Sequence, residues 1–260
     1  MVALSLASLV LLLATAGALA VTGDLTQPAG TAGCVSETGA GPCADGHALS
    51  APFEVAMYRQ SVYVVSYNDA VVRLNRDTTT GSITQPAGTA GCISETGAGP
   101  CADGHALAEP LGVAVSPDGK SVYATSFAGR AVARFNRNTS TGAITQPAGT
   151  AGCISETGSG PCADGHGLSL ADSVAVSPDG KNVYVATEGS AVARLNRNTT
   201  TGAITQPAGS AGCISETGAG PCADGHGLSY PTSVVVSANG KSVYVSSSDS
   251  DAVARLNRAP

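Results

Sequence analysis

Short runs in which apolar and polar positions alternate every second residue recur along this chain, each bounded by turn-forming residues. In the third quarter, Ser173-Val-Ala-Val-Ser177 leads through Pro178-Asp-Gly-Lys181 into Asn182-Val-Tyr-Val-Ala186. Two β-rich runs joined by a tight-turn signal predict a hairpin. Ser190-Ala-Val-Ala-Arg-Leu-Asn196 alternates again, and Asn198-Thr-Thr-Thr-Gly202 then turns the chain into Ala203-Ile-Thr-Gln206. The period of two predicts two further strands. No window holds a 3.6-residue period, so strands and turns carry the fold.

The same pattern returns at a fixed interval. A segment typified by Thr145-Gln-Pro-Ala-Gly-Thr-Ala-Gly-Cys153 and ending Cys162-Ala-Asp-Gly-His166 occurs four times. Its first cysteine stands at Cys34, Cys92, Cys153 and Cys213, in steps of 58, 61 and 60 residues. Repetition at this period predicts one supersecondary unit per repeat, stacked on its neighbours. With four antiparallel strands per unit, labelled A to D from inside to outside, the expected fold class is all-β: a β-propeller of four repeats of about 60 residues. The units run over residues 22–80, 81–141, 142–201 and 202–260.

Val113-Ala-Val-Ser-Pro-Asp-Gly-Lys-Ser-Val-Tyr123, its counterpart 174–184 and the degraded version 234–244 resemble the repeat of the YVTN and lactonase-like β-propeller superfamily. The similarity covers the A and B strands of three units. In unit one Met57-Tyr-Arg-Gln60 replaces the Pro-Asp-Gly-Lys turn, which predicts a shorter A–B connection there. The resemblance implies a propeller, usually of seven blades, and raises sugar-lactone hydrolysis as an activity. No catalytic residue of that family maps onto a position of this chain, and propellers host many unrelated functions.

The two ends are complementary. Residues 22–27 match a turn and D strand with no A to C strands before them, and Ala252-Val-Ala-Arg-Leu-Asn-Arg258 is a C strand with no D strand after it. Pairing of Leu25–Gln27 with Val253–Asn257 would give four closed four-stranded blades. The alternative is an open arc, or part of a larger propeller, whose bare edges favour self-association.

Met1 to Ala20 is an apolar run ending Ala18-Leu19-Ala20, which reads as a secretory signal peptide over residues 1–20, or as a retained anchor because Lys and Arg are missing from its start. The mature chain, residues 21–260, is then secreted or sits in the cell envelope or periplasm. In that setting the eight cysteines read as a disulfide framework paired within each unit: Cys34 with Cys43, Cys92 with Cys101, Cys153 with Cys162, and Cys213 with Cys222. A zinc site built from Cys153, Cys162, Asp164 and His166 is disfavoured by the spacing, since zinc prefers cysteines two to four residues apart.

The balance is mildly acidic, 19 Asp and Glu against 13 Lys and Arg, with no Trp and three Phe. Nucleic acid is thereby excluded as an expected partner. In a propeller the D-to-A connection crosses one face, so Asp45, His47, Asp103, His105, Asp164, His166, Asp224 and His226 are expected around an axial mouth. There they would form a small-ligand or divalent-cation site, or serve only as duplicated turn and packing residues. Glu37, Glu95, Glu156 and Glu216 read as solvated loop carboxylates, and Arg73, Arg134, Arg194 and Arg255 as an exposed or inter-blade polar row. Non-repeated residues, among them Tyr58, Arg59, Glu109, Asp172 and Glu188, are scattered over different units and suggest no catalytic set. The expected role is an exported binding or scaffold module for an extracellular protein or glycan. The alternatives are a lactonase-like hydrolase, with an asymmetric acidic pocket on the axis, and a structural envelope repeat.

Overall fold

In the computed structural model, which describes residues 23–259, the repeats form successive β-sheets. The segment 1–20 read as a signal lies outside the described residues. An amino-terminal connector holds β1 (Val35–Ser36) and β2 (Ala44–Asp45). The first full sheet contains β3 (Pro52–Tyr58), β4 (Ser61–Ser66), β5 (Ala70–Arg76), β6 (Ile83–Thr84), β7 (Cys92–Ser94) and β8 (Ala102–Asp103). The second contains β9 (Val113–Val115), β10 (Ser121–Ser126), β11 (Ala131–Arg137), β12 (Ile144–Thr145), β13 (Cys153–Ser155) and β14 (Ala163–Asp164). The third contains β15 (Ala171–Val176), β16 (Asn182–Thr187), β17 (Ala191–Arg197), β18 (Ile204–Thr205), β19 (Cys213–Ser215) and β20 (Ala223–Asp224). A terminal three-stranded sheet is made of β21 (Pro231–Val236), β22 (Ser242–Ser247) and β23 (Ala252–Asn257).

The hairpins fall where the turns predicted them. Val113 pairs with Ala124 and Val115 with Val122 across the Pro-Asp-Gly-Lys turn. In unit one Tyr58 pairs directly with Ser61, leaving a two-residue connection with Arg59 at φ 52°. The shorter link expected from Met57-Tyr-Arg-Gln60 is therefore present.

The fourth strand departs from expectation: the full sheets have six strands, not four. β6 pairs with Asn75 and Arg76 at the end of β5, and β7 pairs with Ala70, Val71 and Val72 at its start. Between them Pro86 offers no N–H to a ladder, and Gly88 at φ +61° opens a 3-10 turn, Gly88–Ala90. The chain thus leaves the sheet and re-enters it on the same edge. A Cβ on Gly91 would lie 2.2 Å from the Pro86 carbonyl oxygen, so this return requires glycine. β8 then pairs in parallel with β7, and the Cys92–Cys101 bridge joins this outer pair at a Cα separation of 4.8 Å. All four expected disulfides are formed, as is usual in oxidising compartments.

Inner strands touch in sequence, β3 against β9, β9 against β15 and β15 against β21. One core fills each of the three gaps between sheets. Ala56, Tyr63 and Val71 of the first sheet meet Val113, Val122 and Phe135 of the second. Tyr123 and Val132 meet Val174, Val183 and Leu195, and Tyr184 and Val192 meet Val234, Val243 and Val245. Polar pins cross the same gaps. The Tyr63 hydroxyl donates to the Gly142 carbonyl at 2.6 Å and accepts from Arg137 Nε, and Tyr123 does the same with Gly202 and Arg197.

The arginine row divides: Arg255 is exposed and Arg194 half-buried, while Arg73 and Arg134 reach across to the turn of the next sheet, as the inter-blade expectation has it. Arg73 and Arg134 are buried and donate to backbone carbonyls, Ala90 and Thr141 for Arg73, Ala151 and Thr201 for Arg134. Carboxylate partners belong to other arginines: Arg197 binds Asp118 at 2.9 Å and Arg258 binds Asp179 at 2.7 Å. Where unit one lacks the Asp-containing turn, Arg137 lies 5.0 Å from the Tyr58 ring centroid instead, a cation–π contact.

The expected closure is not made. Residues 25–27 form no strand, Leu25 is 99% exposed, and β23 pairs with β22 alone. Inner strands β3 and β21 belong to separate sheets and do not pair with each other, so the row of sheets is open at both ends.

Candidate functional site

The repeated connector residues turn out to join one repeat to the next. Gln85 Oε1 accepts from the His47 backbone N–H at 2.7 Å, while its Nε2 donates to the His47 carbonyl at 2.9 Å and the Gly91 carbonyl at 3.3 Å. Gln146 holds His105, and Gln206 holds His166, in the same way. The imidazoles of His47, His105 and His166 pack against Gly91, Gly152 and Gly212 of the following turn. Among the described residues no glutamine holds His226, which is exposed.

Glu37, Glu95, Glu156 and Glu216 are tied in rather than solvated. Each accepts through Oε2 from the backbone N–H of a leucine twelve residues on: Leu49, Leu107, Leu168 and Leu228. These leucines are buried, so the carboxylates satisfy N–H groups at the point where the connector dives inward.

The broken fourth strand also relocates the Asp/His residues. Asp103, Asp164 and Asp224 end β8, β14 and β20, the outermost strands of their sheets, and Asp45 ends β2. These edge strands lie at the opposite side of each full sheet from the inner strands β3, β9 and β15, and His47, His105, His166 and His226 follow two residues after each aspartate. Among the described residues no group of three or more His, Cys, Asp or Glu side chains is placed to hold a metal ion.

The inner strands carry a different set, which is not repeated. Glu54 on β3 accepts from the Val113 backbone N–H on β9 at 2.7 Å, and burial pushes its carboxyl pKa up. Asp172 on β15 is raised to about 6, first by burial and then by the charges of Glu188 and Glu54. Tyr230 follows, its phenol pushed up chiefly by interaction with the Glu188 carboxylate. Glu109 lies nearby in the topology: its backbone N–H donates to Asp69 at 2.8 Å, and its carboxylate raises the Tyr67 phenol. Two scattered oddities, Asp172 and Glu188, are thus brought together, whereas Tyr58 and Arg59 sit at the β3–β4 turn.

Glu54 escaped the sequence reading. It occupies the position of Gly112, Ser173 and Ser233, each just before an equivalent valine, and a lone acid among small residues was the available signal. Burial raises the Glu54 carboxyl, and burial together with neighbouring negative charge raises that of Asp172.

The sign of the pH effect follows. Below about pH 4 Asp172 is protonated in both folded and unfolded chains. Between about 4 and 6 the unfolded chain binds fewer protons than the folded one, so this residue's contribution to stability falls as pH rises and levels off above 6. Asp172→Asn is expected to flatten this fall. Denaturant titrations of both proteins from pH 4 to 7 check it, and parallel curves would contradict it.

No family model matches the sequence, and no curated protein matches it. Solved structures do. A putative 6-phosphogluconolactonase from Bacteroides fragilis aligns at a TM-score of 0.54 and 17% identity, over 80% of this chain and 51% of that one. Its counterpart from Bacteroides uniformis aligns at 0.53 and 20%, over 79% and 52%. The periplasmic gluconolactonase of Pseudomonas aeruginosa aligns at 0.53 and 16%, over 85% and 57%. The chain spans about half the length of the structures it matches. At these identities the likeness is one of fold alone: an all-β chain of repeated sheets that matches propeller structures.

Proposed function

We propose that the chain is an extracytoplasmic binding module whose ligand meets the inner-strand carboxylates Glu54 and Asp172 together with Glu188 of the β16–β17 turn. The observation carrying this is their convergence: Glu54, Asp172 and Glu188, none of them repeated in the other units, act on one another electrostatically, and burial with the two neighbouring charges raises Asp172 to about 6. Such a group suits a small molecule rich in hydroxyl or ammonium donors. The four disulfides, and a fold shared with a protein named as periplasmic, support the exported setting. Calorimetric titration with glucose and with spermidine tests it. Saturable heat with one of them, lost in Glu54→Gln/Asp172→Asn, is expected; no saturable heat with either overturns the reading.

A second reading is hydrolysis of a sugar lactone, favoured by the pKa of about 6 at Asp172, which suits a general base acting on water near neutral pH. Two of the matched structures are described as putative 6-phosphogluconolactonases. Acid release from glucono-δ-lactone above the spontaneous rate, abolished by Asp172→Asn, would select this reading over plain binding.

A further inference from the structure

The two ends of the row of sheets expose the two halves of one more inter-repeat joint. At the tail, Val235, Tyr244 and Val253 are exposed, Val253 to 74%. Their equivalents Ala175, Tyr184 and Val192 pack against the following sheet, and Val192 is 2% exposed. At the head, Val55 and Met57 are 62% and 60% exposed, whereas their equivalents Val113 and Val115 pack against the preceding sheet.

The connector repeats this complementarity. β23 has a bare outer edge, although β5, β11 and β17 each carry two outer partners. Beside it lies a cleft of about 640 Å³ lined by Tyr184, Ile214, His226, Val253, Arg255 and Asn257. The amino-terminal connector is already folded as its internal counterparts are, with β1 parallel to β2 and the Cys34–Cys43 bridge made. Yet Leu25 is 99% exposed, and Gln27 bonds within its own turn to the Gly33 carbonyl at 3.2 Å. His226 lacks the glutamine clamp that holds the other three histidines.

We propose that the occupant of the tail cleft is the amino-terminal connector of a second copy of this chain, and that two copies pair head to tail into a closed ring. Internal register assigns the contacts. Asn196 faces Thr205, Arg197 faces Ile204 and Val192 faces Ile214, so Asn257 faces Thr26, Arg258 faces Leu25 and Val253 faces Val35 of the other copy. Gln27 then clamps His226, and the Val55/Met57 face closes on Val235, Tyr244 and Val253. A donated strand satisfies the bare edge, and two identical heterologous contacts close when the rotation allows.

Light scattering on the purified protein is expected to give twice the chain mass, and Val253→Asp to give the single-chain mass with an unchanged circular dichroism spectrum. Val253 is already exposed in the single chain, so an aspartate there leaves that fold intact and is excluded only from the buried position of a filled edge. Mixing a Thr26→Cys chain with an Asn257→Cys chain should yield a covalent dimer under mild oxidation. A wild-type monomer up to the solubility limit, an open-ended series of larger species, or a Thr26→Cys/Asn257→Cys chain that crosslinks within itself as a monomer would each overturn the two-copy ring.

Discussion

Arg197→Met is expected to lower stability by about 2–4 kcal/mol, the cost of leaving the buried acceptors around this side chain without their donor. The Arg197 side chain is fully buried between the second and third sheets. Its Nε donates to the Tyr123 hydroxyl at 2.7 Å, one terminal nitrogen donates to the Gly180 carbonyl at 3.1 Å, and the other meets Asp118 at 2.9 Å and Ser121 Oγ at 3.3 Å. Methionine fills part of the volume but leaves each of these acceptors without its donor. For a chain of this size the loss corresponds to roughly 10 °C in Tm, read by calorimetry. Asp118→Asn is expected to cost far less, about 1 kcal/mol or below, because Asp118 is partly solvated. Arg137 supplies the precedent, since it occupies the equivalent place with Tyr63, Ser61 and the Gly119 carbonyl and no carboxylate. Equal effects of the two substitutions would contradict this apportioning.

Removing one staple, as Cys153→Ala/Cys162→Ala, is expected to cost about 2–3 kcal/mol, since the bridge closes a loop of about ten residues in the unfolded chain. Cys153 is also buried within β13, so its loss takes packing from the edge of the second sheet. The bridged segment is Gly-, Ser- and Thr-rich and has little apolar surface to offset its ordering entropy. Denaturant unfolding measures the total. Hydrogen exchange should locate it, with amide protection falling at Ile154 and at Leu168, whose N–H is held by Glu156, and persisting in β15 and β16. Uniform loss of protection across the third sheet would contradict a local role.

The hairpins, the repeat period and the disulfide pairing were all legible, because each is a local property: Pro-Asp-Gly-Lys turns, alternation of Val with polar residues, and two cysteines nine positions apart. The split fourth strand was not. Cys92-Ile-Ser94 is too short to show a period, and its partner, Val72 with its neighbours, lies about twenty residues back beyond a Gly-Pro-rich stretch that reads as loop. That single feature puts Asp103, Asp164 and Asp224 on edge strands that the sequence pattern did not predict. The burial of Arg73 and Arg134 was hidden for another reason: their acceptors are backbone carbonyls, which leave no mark in side-chain composition. Complementary ends were visible in the sequence, but pattern matching cannot distinguish a strand donated within a chain from one donated between chains. Glu54 was obscured by the shortened first hairpin, which disturbs the alignment of unit one with the others.

These corrections turn the functional reading around. Three glutamine–histidine clamps join one repeat to the next, and four glutamate–leucine ties fasten each connector to itself. What remains for recognition is the set that does not recur. The claim therefore rests on Glu54, Asp172 and Glu188 sharing one electrostatic environment. Carbon-13 NMR titration of the Asp172 side-chain carboxyl tests it most directly. A midpoint near pH 6 in the wild type, shifting down in Glu54→Gln and in Glu188→Gln, is the predicted result. A midpoint near 4, unmoved by either substitution, would show that the three carboxylates do not form a group.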